Sequence, residues 1–267
     1  GALAMDTHLI NALGDELFNA LRGRQTLPPL TRRYPQITLE QAYRISLHFL
    51  QRREALGERV IGKKIGVTSR AVQEMLDVHQ PDFGFLTDAM QVEDGSDVSL
   101  ARHNLIQPRA EGEIAFILAE DLQGPGISAE DVLAASQWVV PCFEIVDSRI
   151  DDWQIRIQDT VADNASCGVF ALGTQRIDPR SLDLAAVHMQ LLKNGEPAGS
   201  GLGSAVQGHP CAAVAWLANT LGELGIPFRR GEIILSGALA PLVPVVAGDH
   251  ISLSMTGLGE ASLRFVP

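Results

Sequence analysis

Three acidic side chains are the residues best placed to do chemistry. Glu111-Gly112-Glu113 lies in Pro108-Arg-Ala-Glu-Gly-Glu-Ile-Ala-Phe-Ile-Leu118, two carboxylates one residue apart that run into an apolar stretch of strand character. In an extended strand alternate side chains share a face, so Glu111 and Glu113 point the same way, roughly 7 Å apart. Like charges that close are unfavourable unless both are solvated or a cation lies between them. Glu144 stands in Trp138-Val-Val-Pro-Cys-Phe-Glu-Ile-Val146. A carboxylate flanked by Phe143 and Ile145 is rarely buried unless it is paired or bound to a metal. Three carboxylates without a nitrogen or sulfur ligand suit a hard cation, Mg2+ or Mn2+, with positions left for water or substrate oxygens. The polar, solvated end of a strand is the other reading of the same Glu-x-Glu.

Other motifs carry less. Gly57-Glu-Arg-Val-Ile-Gly62-Lys63-Lys64 comes close to a phosphate-binding loop. That loop needs a strand before it, a helix after it and a hydroxyl where Lys64 stands. Here a helix precedes and Val60 to Val67 reads as a strand, so nucleotide binding is rejected. Alternation puts Lys63 and Lys64 on opposite faces, leaving one free to point inward. Gln80-Pro-Asp-Phe-Gly84 is a turn with Asp82 at its tip or aimed into a cleft. Asp147 and Asp151-Asp152 fall in an expected loop, where solvent is the default partner. Asp159-Thr-Val-Ala-Asp-Asn-Ala-Ser-Cys-Gly168 is polar and turn-prone, and lines a cleft or forms an ordinary loop. Gly199-Ser-Gly-Leu-Gly203 lacks the spacing of a dinucleotide fingerprint, and neither Gly-x-Ser-x-Gly, His-Glu-x-x-His nor an EF-hand loop is present. The seven histidines do not cluster at ligand spacing.

The elements that must hold these residues are readable from periodicity. Leu9, Ile10, Leu13, Leu17 and Leu21 recur at helical spacing and stop at Gly23. Thr38-Leu-Glu-Gln41 is a capping box for a second helix. Ser69 caps a short helix with Val72, Met75 and Leu76, and Ser128, with Asp131, caps another. Pro210 to Leu224 is a helix, and the tail reads as short strands at 232–236, 242–246, 251–255 and 262–266. Residues 1–5 read as an expression remnant, 6–80 as a small helical N-terminal part and 81–267 as a β-rich core, or 6–267 as one domain.

The 267 residues, 46% hydrophobic and 20% charged, describe a soluble globular chain able to bury a sizeable core. A net charge of −11 argues against nucleic acid or an anionic membrane surface as the partner. It leaves an anionic substrate possible where a metal or lysine reverses the local field. Cys142, Cys167 and Cys211 form no C-x-x-C, which fits a reducing cytoplasm. No apolar run approaches a membrane span and no signal peptide is recognised, so the Asn164-Ala-Ser166 sequon is one by letters only.

Gly62-Lys-Lys-Ile-Gly-Val-Thr-Ser69, Gln80-Pro-Asp-Phe-Gly84, Gln107-Pro-Arg-Ala-Glu-Gly-Glu-Ile-Ala115, Glu144-Ile-Val-Asp-Ser-Arg149 and the 159–168 segment occur in this order, followed by Trp216-Leu-Ala-Asn219 and Ile234-Leu-Ser-Gly237. In these motifs, and over essentially its full length, the sequence resembles the fumarylacetoacetase-like superfamily. Within it the chain is similar to the 2-oxopent-4-enoate (2-hydroxypenta-2,4-dienoate) hydratases of aromatic meta-cleavage pathways, in the hydratase/decarboxylase family. The resemblance implies an α+β fold: a mixed β-roll or β-sandwich core with peripheral helices. It implies a metal triad of Glu111, Glu113 and Glu144 holding Mg2+ or Mn2+, catalytic roles for Lys64 and Asp82, and substrate contacts from Asn164, Ser166, Ser236 and Gly237. It also implies a cytoplasmic homo-oligomer, a decamer, with a pathway decarboxylase or aldolase as a further partner. The implied reaction is hydration to 4-hydroxy-2-oxopentanoate by a carbon–oxygen lyase. The alternatives are 4-oxalocrotonate decarboxylase, a hydratase of a larger 2-oxo diacid, an acylpyruvate hydrolase, for which no His/Glu pair stands out, and a non-catalytic assembly partner.

Overall fold

The computed structural model describes residues 5–267, so the first four residues of the expected remnant lie outside it. The helix Thr7–Gly23 starts where Asp6 accepts the Leu9 N–H at 2.8 Å. The helix Leu39–Ala55 starts on the expected box, with the Thr38 hydroxyl accepting from Gln41 N and the Gln41 side chain accepting from Thr38 N. Each side chain satisfies a donor that a helix start otherwise leaves orphaned. The two helices bury Ile10, Leu13, Leu17, Ile45 and Phe49 in one apolar cluster, which also takes in Ile150, Ile157 and Val161 from the far half of the chain.

The core is a pair of sheets. An eight-stranded mixed sheet runs in the order Asp82–Thr87, Val60–Gly66, Ile233–Ala238, Arg109–Leu118, Ser136–Val146, Cys167–Leu172, Gln91–Glu93, with Val243–Pro244 added beside Arg109–Leu118. A five-stranded sheet runs Asp97–Ser99, Gly259–Val266, His250–Met255, His188–Lys193, Glu196–Leu202. This is the expected α+β sandwich-like core with helices around it. The sheets meet at Gly112. A Cβ there would collide with the Met189 sulfur and press on Leu253, both from the second sheet. The absence of a side chain on that face lets the sheets approach directly behind the two flanking glutamates.

Several expectations need correction. Lys63 and Lys64 are both buried. The reason is that Val60–Gly66 lies inside the sheet, with both faces covered, so opposite faces do not mean one wet face. Lys63 forms a salt bridge with Glu232, donating to both of its oxygens at 2.8 and 2.7 Å, and sits over the Phe228 ring. Asp147 is not solvated: it is buried and accepts the N–H groups of Ile106 and Gln107 at 2.9 and 2.7 Å. The 159–168 segment is not a plain loop. It begins inside the helix Ile157–Ala162, started by Arg156 and Asp159, then makes a tight turn at Asn164–Ser166. The hairpin His188–Lys193 and Glu196–Leu202 was not anticipated. The strand Val60–Gly66, assigned by sequence to the helical part, is an integral member of the large sheet.

Candidate metal centre and its cavity

Strand register assembles the acidic cluster. Arg109–Leu118 pairs antiparallel with Ser136–Val146 so that Glu111 faces Glu144 directly and Glu113 faces Cys142. Directly opposed residues project from the same face, and Glu113, two residues along, joins them diagonally. One oxygen of each carboxylate lies within 4.8 Å of the others. Glu113 and Glu144 are fully buried, while Glu111 opens on a cavity. Two unit charges about 5 Å apart repel by on the order of 3 kcal/mol at an effective dielectric near 20. Among the described residues Lys64 is the one cation at hand, with Nζ 3.1 Å from Glu144 Oε2. That approach is not aligned as a hydrogen bond, and neither Glu144 oxygen accepts one. Glu113 has a single fixed donor, the Gly237 N–H at 2.9 Å.

Burial, then the neighbouring Glu144 and Glu111 charges, push the Glu113 carboxyl well above the carboxylate range. Burial and Glu144 push Glu111 up to about 8. Mutually repelling carboxylates, Glu144 without a hydrogen-bond donor, and with no nitrogen or sulfur among the three, fit a hard divalent cation. The residues therefore fit the metal implied above.

Lys64 and Asp82 complete the polar end. Asp82 pairs in register with Gly66 on the neighbouring strand, and a Cβ on Gly66 would strike the Asp82 carboxylate and crowd the Lys64 ammonium. The glycine thus makes room for both groups. Asp82 is buried, and its Oδ1 has no hydrogen-bond partner. Burial outweighs the Lys64 charge and pushes its carboxyl up to about 6. For Lys64 the balance is reversed: burial opposes its charge, but Glu144 and then Asp82 hold the ammonium above its ordinary range. Lys64 Nζ donates to Ala165 O at 2.7 Å. That carbonyl is presented by three consecutive non-glycine residues, Asn164, Ala165 and Ser166, with φ of 54°, 52° and 54°. Each costs of order 1–3 kcal/mol and persists only where its surroundings enforce it. Buried Arg149 supplies the enforcement, donating from Nε to Asp163 Oδ1 at 2.6 Å, from Nη2 to Asp163 O at 2.9 Å and from Nη1 to Cys167 O at 3.0 Å.

The cavity holds about 350 Å3 and is lined at one end by Lys64, Asp82, Glu111 and Ser166. Of the four expected substrate contacts, Ser166 lines it, with its hydroxyl 2.7 Å from that of Thr160. Asn164 and Ser236 do not. The Asn164 amide bridges the backbone of Phe85, accepting from its N–H at 2.8 Å and donating to its carbonyl at 3.0 Å. The Ser236 hydroxyl donates to Ile114 O at 2.6 Å, and the Gly237 N–H faces Glu113. These three position the site. Sequence reasoning missed the remaining wall, which includes Trp153, Ile155 and Leu239 to Leu242. For Trp153 the only signal was a large aromatic directly after Asp151-Asp152.

The raised carboxyls make a stability prediction with a definite sign. A group whose pKa is higher in the folded than in the unfolded state contributes stability below the unfolded value, and that contribution is lost as pH rises through the folded one. Metal-free protein is expected to melt at progressively lower temperature from about pH 5 to pH 8, the window set by Glu111. Thermal melts in chelator check this; a melting temperature that is flat or rises across the window contradicts it.

The model of the fumarylacetoacetate (FAA) hydrolase C-terminal family matches residues 58–266. A 2-hydroxyhexa-2,4-dienoate hydratase of Comamonas testosteroni is 68% identical over 97% of this chain and 98% of its own. A 2-hydroxypent-2,4-dienoate hydratase of Pseudomonas putida is 61% identical over 83% of this chain and 100% of its own. Among solved structures, 4-oxalocrotonate decarboxylase from Pseudomonas putida G7, complexed with magnesium and adipate, superposes with a TM-score of 0.95 at 35% identity, covering 98% of this chain and 99% of that one.

Proposed function

The chain belongs to the fumarylacetoacetate (FAA) hydrolase C-terminal family, and from that premise we propose that it is a divalent-cation-dependent hydratase, a carbon–oxygen lyase acting in the meta-cleavage degradation of aromatic compounds. It adds water to 2-hydroxypenta-2,4-dienoate or a close homologue, giving 4-hydroxy-2-oxopentanoate from the five-carbon substrate. The observation that carries this reading is the run of dienoate and pentenoate hydratases at 46–68% identity, aligned over 83–97% of the chain.

Glu111, Glu113 and Glu144 would hold the cation, Mg2+ by analogy with the magnesium-containing decarboxylase structure or Mn2+ by the same oxygen donor set. When bound, the cation supplies Lewis-acid polarisation of the substrate's carboxylate and C2 oxygen. The protein's own groups do the rest. Lys64 places a fixed positive charge beside the C2 oxygen. Asp82, enclosed beside Lys64, moves the proton that leaves the dienol oxygen and arrives at C5, which brings the remaining double bond into conjugation with C2. Water then adds its oxygen at C4, and its proton goes to C3. Ser166 and Thr160 offer hydroxyls along the wall.

The fold match to a decarboxylase supports a second reading, loss of CO2 from a 2-oxo diacid through the same dienolate. Product analysis separates them: consumption of 2-hydroxypenta-2,4-dienoate with formation of 4-hydroxy-2-oxopentanoate is expected. CO2 release from 4-oxalocrotonate without hydration of the monoacid overturns the assignment. The reading includes a cytoplasmic homo-oligomer; sedimentation of pure protein as a monomer would remove that part.

A further inference from the structure

We infer that the distal wall of the cavity selects dienoates with an uncharged, alkyl-type tail and rejects those ending in a second carboxylate, and that Leu76 and Leu242 are among the residues that set this choice. The inference rests on the hydratase reading and deepens it. Beyond the polar end and the Thr68-Ser69 turn, the large apolar side chains of the lining come from three separate segments. Val72 and Leu76 come from the short helix Arg70–Met75 and its C-cap, Trp153 and Ile155 from the turn after Ile150, and Leu239 and Leu242 from the loop after Ile233–Ala238. The only lysine or arginine lining the cavity among the described residues is Lys64, already engaged by Glu144 and the Ala165 carbonyl at the acidic end.

Two arginines stand beside the lining: Arg70, between Ser69 and Ala71, is turned to solvent and pairs with Glu74, and Arg109 precedes Glu111 by two residues and shares its strand face. The Arg109 guanidinium lies over the Trp153 ring, 4.6 Å from the centroid, and is outside the lining. A distal carboxylate would therefore trade part of its hydration for contact with hydrocarbon, with no cation to meet it, at a wall whose Leu242 is itself 38% exposed. A methyl group in the same place gains contact instead. The volume of about 350 Å3 leaves space for it.

The test is a matched set of substrates. 2-Hydroxypenta-2,4-dienoate, 2-hydroxyhexa-2,4-dienoate and 2-hydroxyhexa-2,4-dienedioate carry hydrogen, methyl and carboxylate at the same carbon. With magnesium-loaded enzyme, kcat/KM for the methyl compound should equal or exceed that of the parent. The dienedioate should fall more than roughly tenfold below the methyl compound, the scale of partly desolvating an unpaired charged group. Leu242→Arg and Leu76→Arg should each shift the diacid-to-alkyl ratio toward the diacid by roughly tenfold or more. The ratio is internal to each variant, so a general loss of activity does not imitate the effect. Should one variant fail to fold, the other and the wild-type comparison still decide. A dienedioate turned over within tenfold of the methyl compound, or ratios unmoved in the folded variants, overturns the inference and leaves the hydratase reading standing. No turnover of any of the three overturns the hydratase reading and the inference together.

Discussion

Glu113→Ala is expected to lose divalent-cation binding and to reduce dienoate hydration by at least about 1,000-fold, because Lewis-acid stabilisation of the developing enolate is worth several kcal/mol. The protein should remain folded, which follows from two opposing terms. Removing Glu113 orphans the Gly237 N–H, at a cost of about 1–3 kcal/mol. It also removes one of three clustered carboxylates, whose repulsion without metal is of the same order. Glu113→Gln separates these terms, since its amide oxygen still accepts from Gly237 while the group can no longer ionise. It should melt no lower than metal-free wild type at pH 8 and still bind Mg2+ at least about 100-fold more weakly. Calorimetric titration with MgCl2 and a hydration assay read both effects. Unchanged turnover by Glu113→Ala would refute the triad.

Asp82→Asn is expected to lower kcat by about 100- to 10,000-fold, the usual weight of a positioned proton donor or acceptor, with Mg2+ affinity within about threefold of wild type. The amide is nearly isosteric, so the packing against Gly66 survives. The pH profile distinguishes proton transfer from mere shape. The wild-type acid limb of kcat/KM should lie below about pH 6, since a nearby dication lowers the value Asp82 has in metal-free protein. In Asp82→Asn that limb should vanish. A variant with wild-type kcat, or one that keeps the limb, places the proton transfer elsewhere, with Lys64 the first alternative.

How far the sequence could be read depended on whether a feature was local. The shared face of Glu111 and Glu113 follows from a period of two and needs no partner strand. That Glu144 sits opposite Glu111 is a fact of register between strands, and only the apolar flanks of Glu144 hinted at it. The helix caps at Thr38, Ser69 and Ser128 were legible because their donors and acceptors lie within three residues. The lysine pair misled because alternation says which residues differ in face, not whether both faces are covered. Asp147 misled similarly: its partners, Ile106 and Gln107, are forty residues away. The 188–202 hairpin carried a local signal that went unread, Asn194-Gly195 with both residues at positive φ. Asn164 and Ser236 belong to the motifs that carried the resemblance, yet both support the backbone around the cavity. The distal wall was invisible because its side chains come from three segments that only the fold brings together.

The most direct test is metal removal and return. Hydration of 2-hydroxypenta-2,4-dienoate is followed on protein stripped with a strong chelator, then during stepwise addition of MgCl2. The triad predicts loss of activity to background and recovery that saturates at one ion per chain. Full hydratase activity in rigorously metal-free protein contradicts it.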